Sequence, residues 1–336
     1  MPNSLNFTQI YRFMTHLFLH IKDKPYFSQL MYLLFLVLIC YTLFSLMQML
    51  ALLLMGYDVK GIEQMLDNID AENMPMLKVM QLISTIGVFI VPALMFSYLQ
   101  TGKALGYVPV KLPLSARAVW LTILVTICAL PLMSFFMELN QSLRLPSFLG
   151  SVEEWMRQTE TKAEKLTYLF LAMHSPIDLV VNLAVIALFP AVAEELLFRG
   201  CLQKLLVTWT QKPHLAIFLS AALFSAFHLQ FFGFIPRMLI GAFLGYLFYW
   251  SGNLWYAIIG HFINNALQVV AYYFTQSSGA ATTAPDMKIT ESLPLSSVLI
   301  GAALFAGSLY LFNRQFKPTP LLMATTGYNN EPEAEQ

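Results

Sequence analysis

A chain of 336 residues that is 57% hydrophobic, 11% charged and has a mean hydropathy of +0.63 carries more apolar surface than a soluble fold can hide. Average soluble domains are about 45–50% apolar and about 25% charged. The 19 basic and 19 acidic residues cancel, so no overall field points to nucleic acid or to an acidic partner. Cys40, Cys128 and Cys201 fall at unrelated spacings and support neither a disulfide framework nor a Cys-x-x-Cys metal site.

Residues 1–29 are too polar and aromatic for a cleaved signal, and read as an N-terminal cytoplasmic segment. Beyond them, eight apolar runs are each about long enough to cross a hydrocarbon core of about 30 Å as helices. They lie near 30–54, 76–99, 118–139, 177–198, 214–230, 234–250, 254–274 and 295–312. The fold class expected is therefore all-α, a polytopic membrane helical bundle of about eight transmembrane helices. The fourth helix is expected to continue through Leu206 to a turn at Gln211-Lys212-Pro213.

Basic residues in the polar segments (Arg12, Lys22, Lys24, then Lys103, Lys111, Arg117, then Lys204, Lys212, Arg314, Lys317) favour one side and place the amino terminus in the cytoplasm. The acid-rich loop 58–72 falls opposite. The segment 140–175 interrupts the membrane pattern; Ser151-Val152-Glu153-Glu154 reads as a capping box opening an interfacial helix. Residues 277–290 read as a polar loop and 327–336 as an acidic tail. The organisation expected is 30–175 as membrane helices with an interfacial helix, 176–275 as a catalytic core, and 276–336 as a last helix and polar tail.

Ionisable residues inside spans are costly, so each needs a partner or a job. They gather in the second half: Glu194, Glu195, Arg199, His228, Arg237 and His261. Helical spacing puts Glu195 and Arg199 on one stripe as an ion pair, leaving Glu194 to face elsewhere as a general base. Glu194 and His228 each lie 17 residues from Gln211, so equal arms of a hairpin bring them to similar depth. His261 and Asn265 are one turn apart and can donate to an oxyanion from one helix; Asn264 points about 100° away.

Straight helices leave a conflict, because His261 lies close to the 251–253 turn while Glu194 is far from Gln211. Pro190 is a place where a break could resolve it. Gly241-x-x-x-Gly245 reads as a close helix contact. Arg237, near a helix end, reads as snorkelling or as a ligand for a substrate carboxylate.

Three elements in order, Glu194-Glu195 with Arg199, Phe224 with His228, and His261 with Asn265, resemble the CPBP intramembrane protease family. That family includes the type II CAAX prenyl endopeptidases and bacteriocin-processing, Abi-like relatives, and the resemblance covers about residues 181–270. It implies an endopeptidase acting on a membrane-associated peptide or protein, with Glu194 and His228 activating water, His261 and Asn265 steadying the oxyanion, and Glu195 and Arg199 in support. The family has also been described as metallopeptidases, which would make Glu194, His228 and His261 ligands of a zinc ion. The pattern leans toward metal-free catalysis. Its setting is a multi-pass protein of a bacterial plasma membrane, with lipid and a peptide as partners and no nucleic acid. A transporter, or a non-catalytic scaffold or immunity protein of the same fold, is the competing reading.

Overall fold

The computed structural model describes residues 21–58, 73–277 and 293–316. The amino-terminal segment before Ile21, most of the acid-rich loop, the polar loop and the acidic tail lie outside the described residues.

Among the described residues the regular structure is all helical: α1 Tyr26–Leu54, α2 Met74–Thr101, α3 Ala116–Ser142, α4 Gly150–Leu171, α5 Pro176–Thr210, α6 Pro213–Phe227, α7 Phe234–Ser251, α8 Leu254–Ser277 and α9 Leu295–Asn313. The protein is a multi-pass integral membrane helical bundle. Leu34, Phe35, Leu38, Leu46 and Leu50 of α1 are exposed, as a lipid-facing surface requires.

The expected count of eight spans needs correction, because among the described residues six helices are long and apolar enough to cross a membrane: α1, α2, α3, α5, α7 with its preceding turn, and α9. Helix α6 has 15 residues, about 22 Å at 1.5 Å per residue, short of a full crossing. Helix α8 is 24 residues long, but His261, Asn264, Asn265 and Gln268 interrupt its apolar run.

Helix α5 organises the bundle. Its residues Ala191, Ala193, Leu196, Leu197, Phe198 and Cys201 are buried in the largest apolar cluster, with contributions from α1, α2, α6, α7 and α8. It runs unbroken from Pro176 through Thr210, as expected, and Gln211 turns the chain with φ 55°. Pro190 does not break it. The strain is absorbed by π-helical stretches at Leu183–Leu188 and Leu196–Gln203 on either side of Phe189–Glu195.

Small residues set the closest approaches. A Cβ added at Gly241 would lie 3.1 Å from Ala221 Cβ, and one at Gly301 would lie 3.0 Å from Pro131 of α3. The expected close contact at Gly241 is thus with α6. Its buried carbonyl has a second use, given below.

The capping box falls elsewhere than expected. Ser151 is already inside α4, whose N-cap is Leu149 with no side-chain cap. Glu153 instead bonds Arg157 Nη2 at 2.6 Å, Arg144 Nη1 at 3.1 Å and the Leu145 amide at 3.0 Å. The box itself forms at the start of α5: Ser175 accepts from the Asp178 amide, and the Asp178 carboxylate accepts from the Ser175 amide. Proline at the first helical position, Pro176, completes that signal.

Hydrogen bonding to Arg157, and then to Leu145, holds the Glu153 carboxyl well below the ordinary 4.5, at about 2. A depressed folded-state pKa stabilises above the unfolded value and is lost as pH falls through the folded one. The hold of Glu153 on the start of α4 is therefore expected to be complete above about 4.5 and to vanish only as pH falls toward about 2. Proteolysis of the 143–150 segment against pH checks this: cleavage is expected to stay slow through pH 4 in the wild type and to be fast already at neutral pH in Glu153→Gln.

Candidate active site

Glu195 and Arg199 sit one turn apart on α5 and form an ion pair, Arg199 Nη1 donating to Glu195 Oε1 at 2.7 Å. Their side chains are 0% and 1% exposed. Two charges with so little water are tolerable only when they are paired and their remaining donors are used. Arg199 Nη2 donates to the Gly241 carbonyl at 3.0 Å, and its guanidinium carbon lies 4.7 Å from the Phe224 ring centre. The absence of a side chain at Gly241 lets α7 close on Ala221 and Phe224 of α6, beside the arginine. Gln203 does the same one turn further on, donating to the Gly245 carbonyl at 2.9 Å.

The same oxygen of Glu195 receives His261 Nδ1 from α8 at 2.8 Å. With a carboxylate as acceptor, Nδ1 carries the proton. The ring's other nitrogen, Nε2, then faces Glu194 Oε2 at 3.8 Å, beyond a direct hydrogen bond. Glu195 Oε2 is buried without a hydrogen-bond partner among the described residues.

The depth conflict between α5 and α8 persists at the turns and is bridged between them. Arg199 and Gln203 meet α7 at the Gly241 and Gly245 carbonyls, which carries the 251–253 turn, six to eight residues beyond Gly245, to near the level of Gln211. Asn253 Oδ1 accepts there from the Lys111 amide at 3.2 Å, the Leu254 amide donates to the Pro109 carbonyl at 2.9 Å, and Lys204 Nζ donates to the Tyr107 carbonyl at 2.7 Å. His261 still reaches Glu195 at 2.8 Å, with the π-helical stretch Leu196–Gln203 lying between Glu195 and the end of α5.

His228 closes α6. Its Nδ1 is 2.9 Å from the Phe224 carbonyl, and Leu229 follows with φ 51°. Its ring meets Phe224 edge-on at 5.1 Å, and Phe224 meets His261 at 5.9 Å and Phe198 at 5.2 Å. The two histidines thus flank one aromatic ring. The contacts bring His228 directly to Phe224 and not to Glu194.

Asn265 lies one turn beyond His261. Pro190 has no N–H to offer the carbonyl four residues back, Ile186, and Asn265 Nδ2 reaches that carbonyl at 3.3 Å. Asn264, expected to point away, donates instead to Asn265 Oδ1 at 3.1 Å. Its adjacency in sequence gave no signal of this, because neighbouring helical side chains diverge; the pairing depends on the Pro190 gap orienting the Asn265 amide. The role of Phe224 as a spacer between imidazoles was equally hidden, though its place one turn before His228 could have suggested it.

Among the described residues no three His, Cys, Asp or Glu side chains gather so as to hold a metal ion. His261 Nδ1 is taken by Glu195 and His228 Nδ1 by the Phe224 carbonyl, which leaves both Nε2 atoms free as a ligating histidine requires. It is the spacing of Glu194, His228 and His261, with the Phe224 ring between the two imidazoles, that does not gather the zinc set in this arrangement of side chains.

An all-helical integral membrane protein with a buried acid–imidazole–guanidinium site is the class these observations define. Residues 176–267 match the family model described as Type II CAAX prenyl endopeptidase Rce1-like. Over 86 residues, 24% of this chain and 41% of the relative, the sequence is 33% identical to a Bacillus subtilis (strain 168) protein that bears the name Uncharacterized protein YpbD. The chain thus matches about two fifths of that relative's length. No solved structure matches.

Proposed function

We propose that the chain is an intramembrane endopeptidase that hydrolyses a peptide bond of a membrane-associated, CAAX-like substrate with an activated water. The observation that carries this reading is the pairing of Glu194 Oε2 and His261 Nε2 at 3.8 Å, with His261 Nδ1 anchored on Glu195. Two proton acceptors at that separation call for a donor between them, and a single water can sit about 2.8 Å from each, giving one hydrogen to Glu194 and one to His261.

In the proposed reaction the water oxygen bonds to the scissile carbonyl carbon while Glu194 takes the first proton. Asn265 Nδ2 has a second N–H beyond the one given to Ile186, and donates it to the oxyanion. His261 Nε2, which already accepts the water's other hydrogen, takes the remaining proton of the attacking oxygen; His228, set across the Phe224 ring from His261, is assigned no proton, in place of the water-activating role the resemblance implies. Both protons pass to the leaving nitrogen as the C–N bond breaks, giving a carboxylate and an ammonium. His261 is assigned here to holding the water, in place of the oxyanion role the resemblance implies, because Glu195 turns its Nε2 toward Glu194. Glu195 and Arg199 fix its tautomer and direction. No step is routed through a metal.

The short α6 and the polar α8 are, on this reading, also membrane-embedded, lining the site where a full apolar span would exclude water. The basic residues of the 103–117 segment and at Lys204 and Lys212 support a cytoplasmic amino terminus in a bacterial plasma membrane. The prenyl substrate named for the family supports a lipid-anchored peptide as the first probe.

The full chain reconstituted in vesicles is expected to cleave an S-farnesyl peptide ending in Cys-Val-Ile-Met. Asn265→Ala is expected to lower kcat about a hundredfold with little change in KM, the loss of one oxyanion donor. Mass analysis of the released peptide against time measures both; an Asn265→Ala rate equal to wild type would remove Asn265 from the reaction.

A further inference from the structure

Arg237 lies in the first turn of α7, nine residues past His228. Its Nη2 donates to the Gln230 side-chain oxygen, while its Nη1 is buried with no hydrogen-bond partner among the described residues. The Gly233 backbone lies close against the guanidinium, since a Cβ there would be 3.3 Å from Nη2. Charged and titratable groups face it from three elements: Glu160 on α4, Glu194 on α5 and His228 at the end of α6. Neither carboxylate pairs with it within 4.0 Å. Glu160 Oε2 is directed instead at the Phe232 amide at 3.4 Å.

Arg199 and Arg237 therefore differ in kind. Arg199 has a buried carboxylate and a carbonyl for its donors, and is complete without a substrate. Arg237 presents a fork with one arm braced by Gln230 and the other unfilled, beside the glutamate proposed to activate water. A guanidinium in poorly solvated surroundings is costly while a donor goes unused, and a planar fork matches a carboxylate.

We propose that Arg237, braced by Gln230, is a subsite that binds a carboxylate of the peptide substrate. This deepens the peptidase reading and rests on it for the identity of the ligand. The carboxylate can come from a free carboxy terminus or from an acidic side chain near it; the recognition chemistry is the same.

The test is equilibrium binding of fluorescent S-farnesyl peptides to the detergent-solubilised full chain carrying Glu194→Gln, so that no turnover intervenes. The peptides end in Cys-Val-Ile-Met as the free acid or as the amide, with a third, amidated peptide ending in Asp. The free acid or the Asp peptide is expected to bind at least about tenfold tighter than the plain amide, and which of the two does so identifies the source. Arg237→Gln is expected to abolish that advantage while leaving plain-amide binding unchanged, and Arg237→Lys to restore part of it. Should Arg237→Gln fail to fold, Glu160→Gln serves: removing a competing anion is expected to raise carboxylate-peptide affinity a few-fold, with plain-amide binding unmoved.

Equal binding of all three peptides, an advantage that survives Arg237→Gln, or no effect of Glu160→Gln would overturn the subsite. Failure of the two proposals is distinguishable. Carboxylate-selective binding without cleavage by the wild type sinks the peptidase and keeps the subsite, whereas cleavage indifferent to the carboxylate does the reverse.

Discussion

Glu194→Gln is expected to reduce peptide cleavage about a thousandfold while leaving the protein folded and substrate affinity nearly unchanged. Removing a general base costs about a hundredfold to ten-thousandfold, and glutamine keeps the volume and one acceptor oxygen. The side chain is 12% exposed and makes no hydrogen bond among the described residues, so the fold has little to lose. The two effects separate cleanly in kinetics, because a residue that acts only in the transition state lowers kcat and kcat/KM together. A Glu194→Gln protein that cleaves within tenfold of wild type would remove Glu194 from the chemistry.

The largest effect on stability is expected at Arg199. Replacing it with Met leaves Glu195, fully buried, with only His261 against its charge, and strands the Gly241 carbonyl that Arg199 reaches from α5. Breaking one side of a buried pair costs about 3–5 kcal/mol, which thermal unfolding in detergent would register as a clear fall in Tm. The double variant Glu195→Met with Arg199→Met removes both charges and is expected to recover much of that stability. It is expected to stay inactive, because His261 then has nothing to fix its tautomer. Recovery of activity with the double variant would show that Glu195 serves the fold alone; a Tm for Arg199→Met equal to wild type would show that the pair is not buried in the membrane as described.

Much of this site is legible in the sequence because helical spacing is a strong constraint. Glu195 and Arg199 at one turn pair as their spacing requires, at 2.7 Å, and Gln211 marks the end of α5 in the place its Gln-Lys-Pro signal gives. The meeting of α5 with α8 was harder to read. It depends on the π-helical stretch Leu196–Gln203 within α5 and on the Lys111–Asn253 and Tyr107–Lys204 contacts, which join segments far apart in the chain. Local pattern carries no trace of such contacts.

The misplaced capping box has a different cause. Ser151-x-x-Glu154 has the right spelling, but Pro146 is followed by a 3-10 turn at Ser147–Leu149 that runs directly into α4, so the helix has begun before Ser151. Glu153 then finds arginines on either side, and Ser175, with Pro176 and Asp178 behind it, carries the signal in full. The count of spans failed at α6 because the helix has 15 residues, and at α8 because His261, Asn264, Asn265 and Gln268 interrupt its apolar run. The amide of Asn265 is oriented by the carbonyl that Pro190 leaves without a partner, a relation between two helices 75 residues apart in sequence.

Cleavage of the farnesyl peptide by the reconstituted full chain in oxygen-18 water measures the central step directly. The new carboxy terminus is expected to carry one heavy oxygen when the wild type acts, and its formation is expected to slow about a thousandfold in Glu194→Gln and at least about a hundredfold in His261→Ala. Product lacking the heavy oxygen, or labelled product formed as fast by either variant, would contradict a water held between Glu194 and His261.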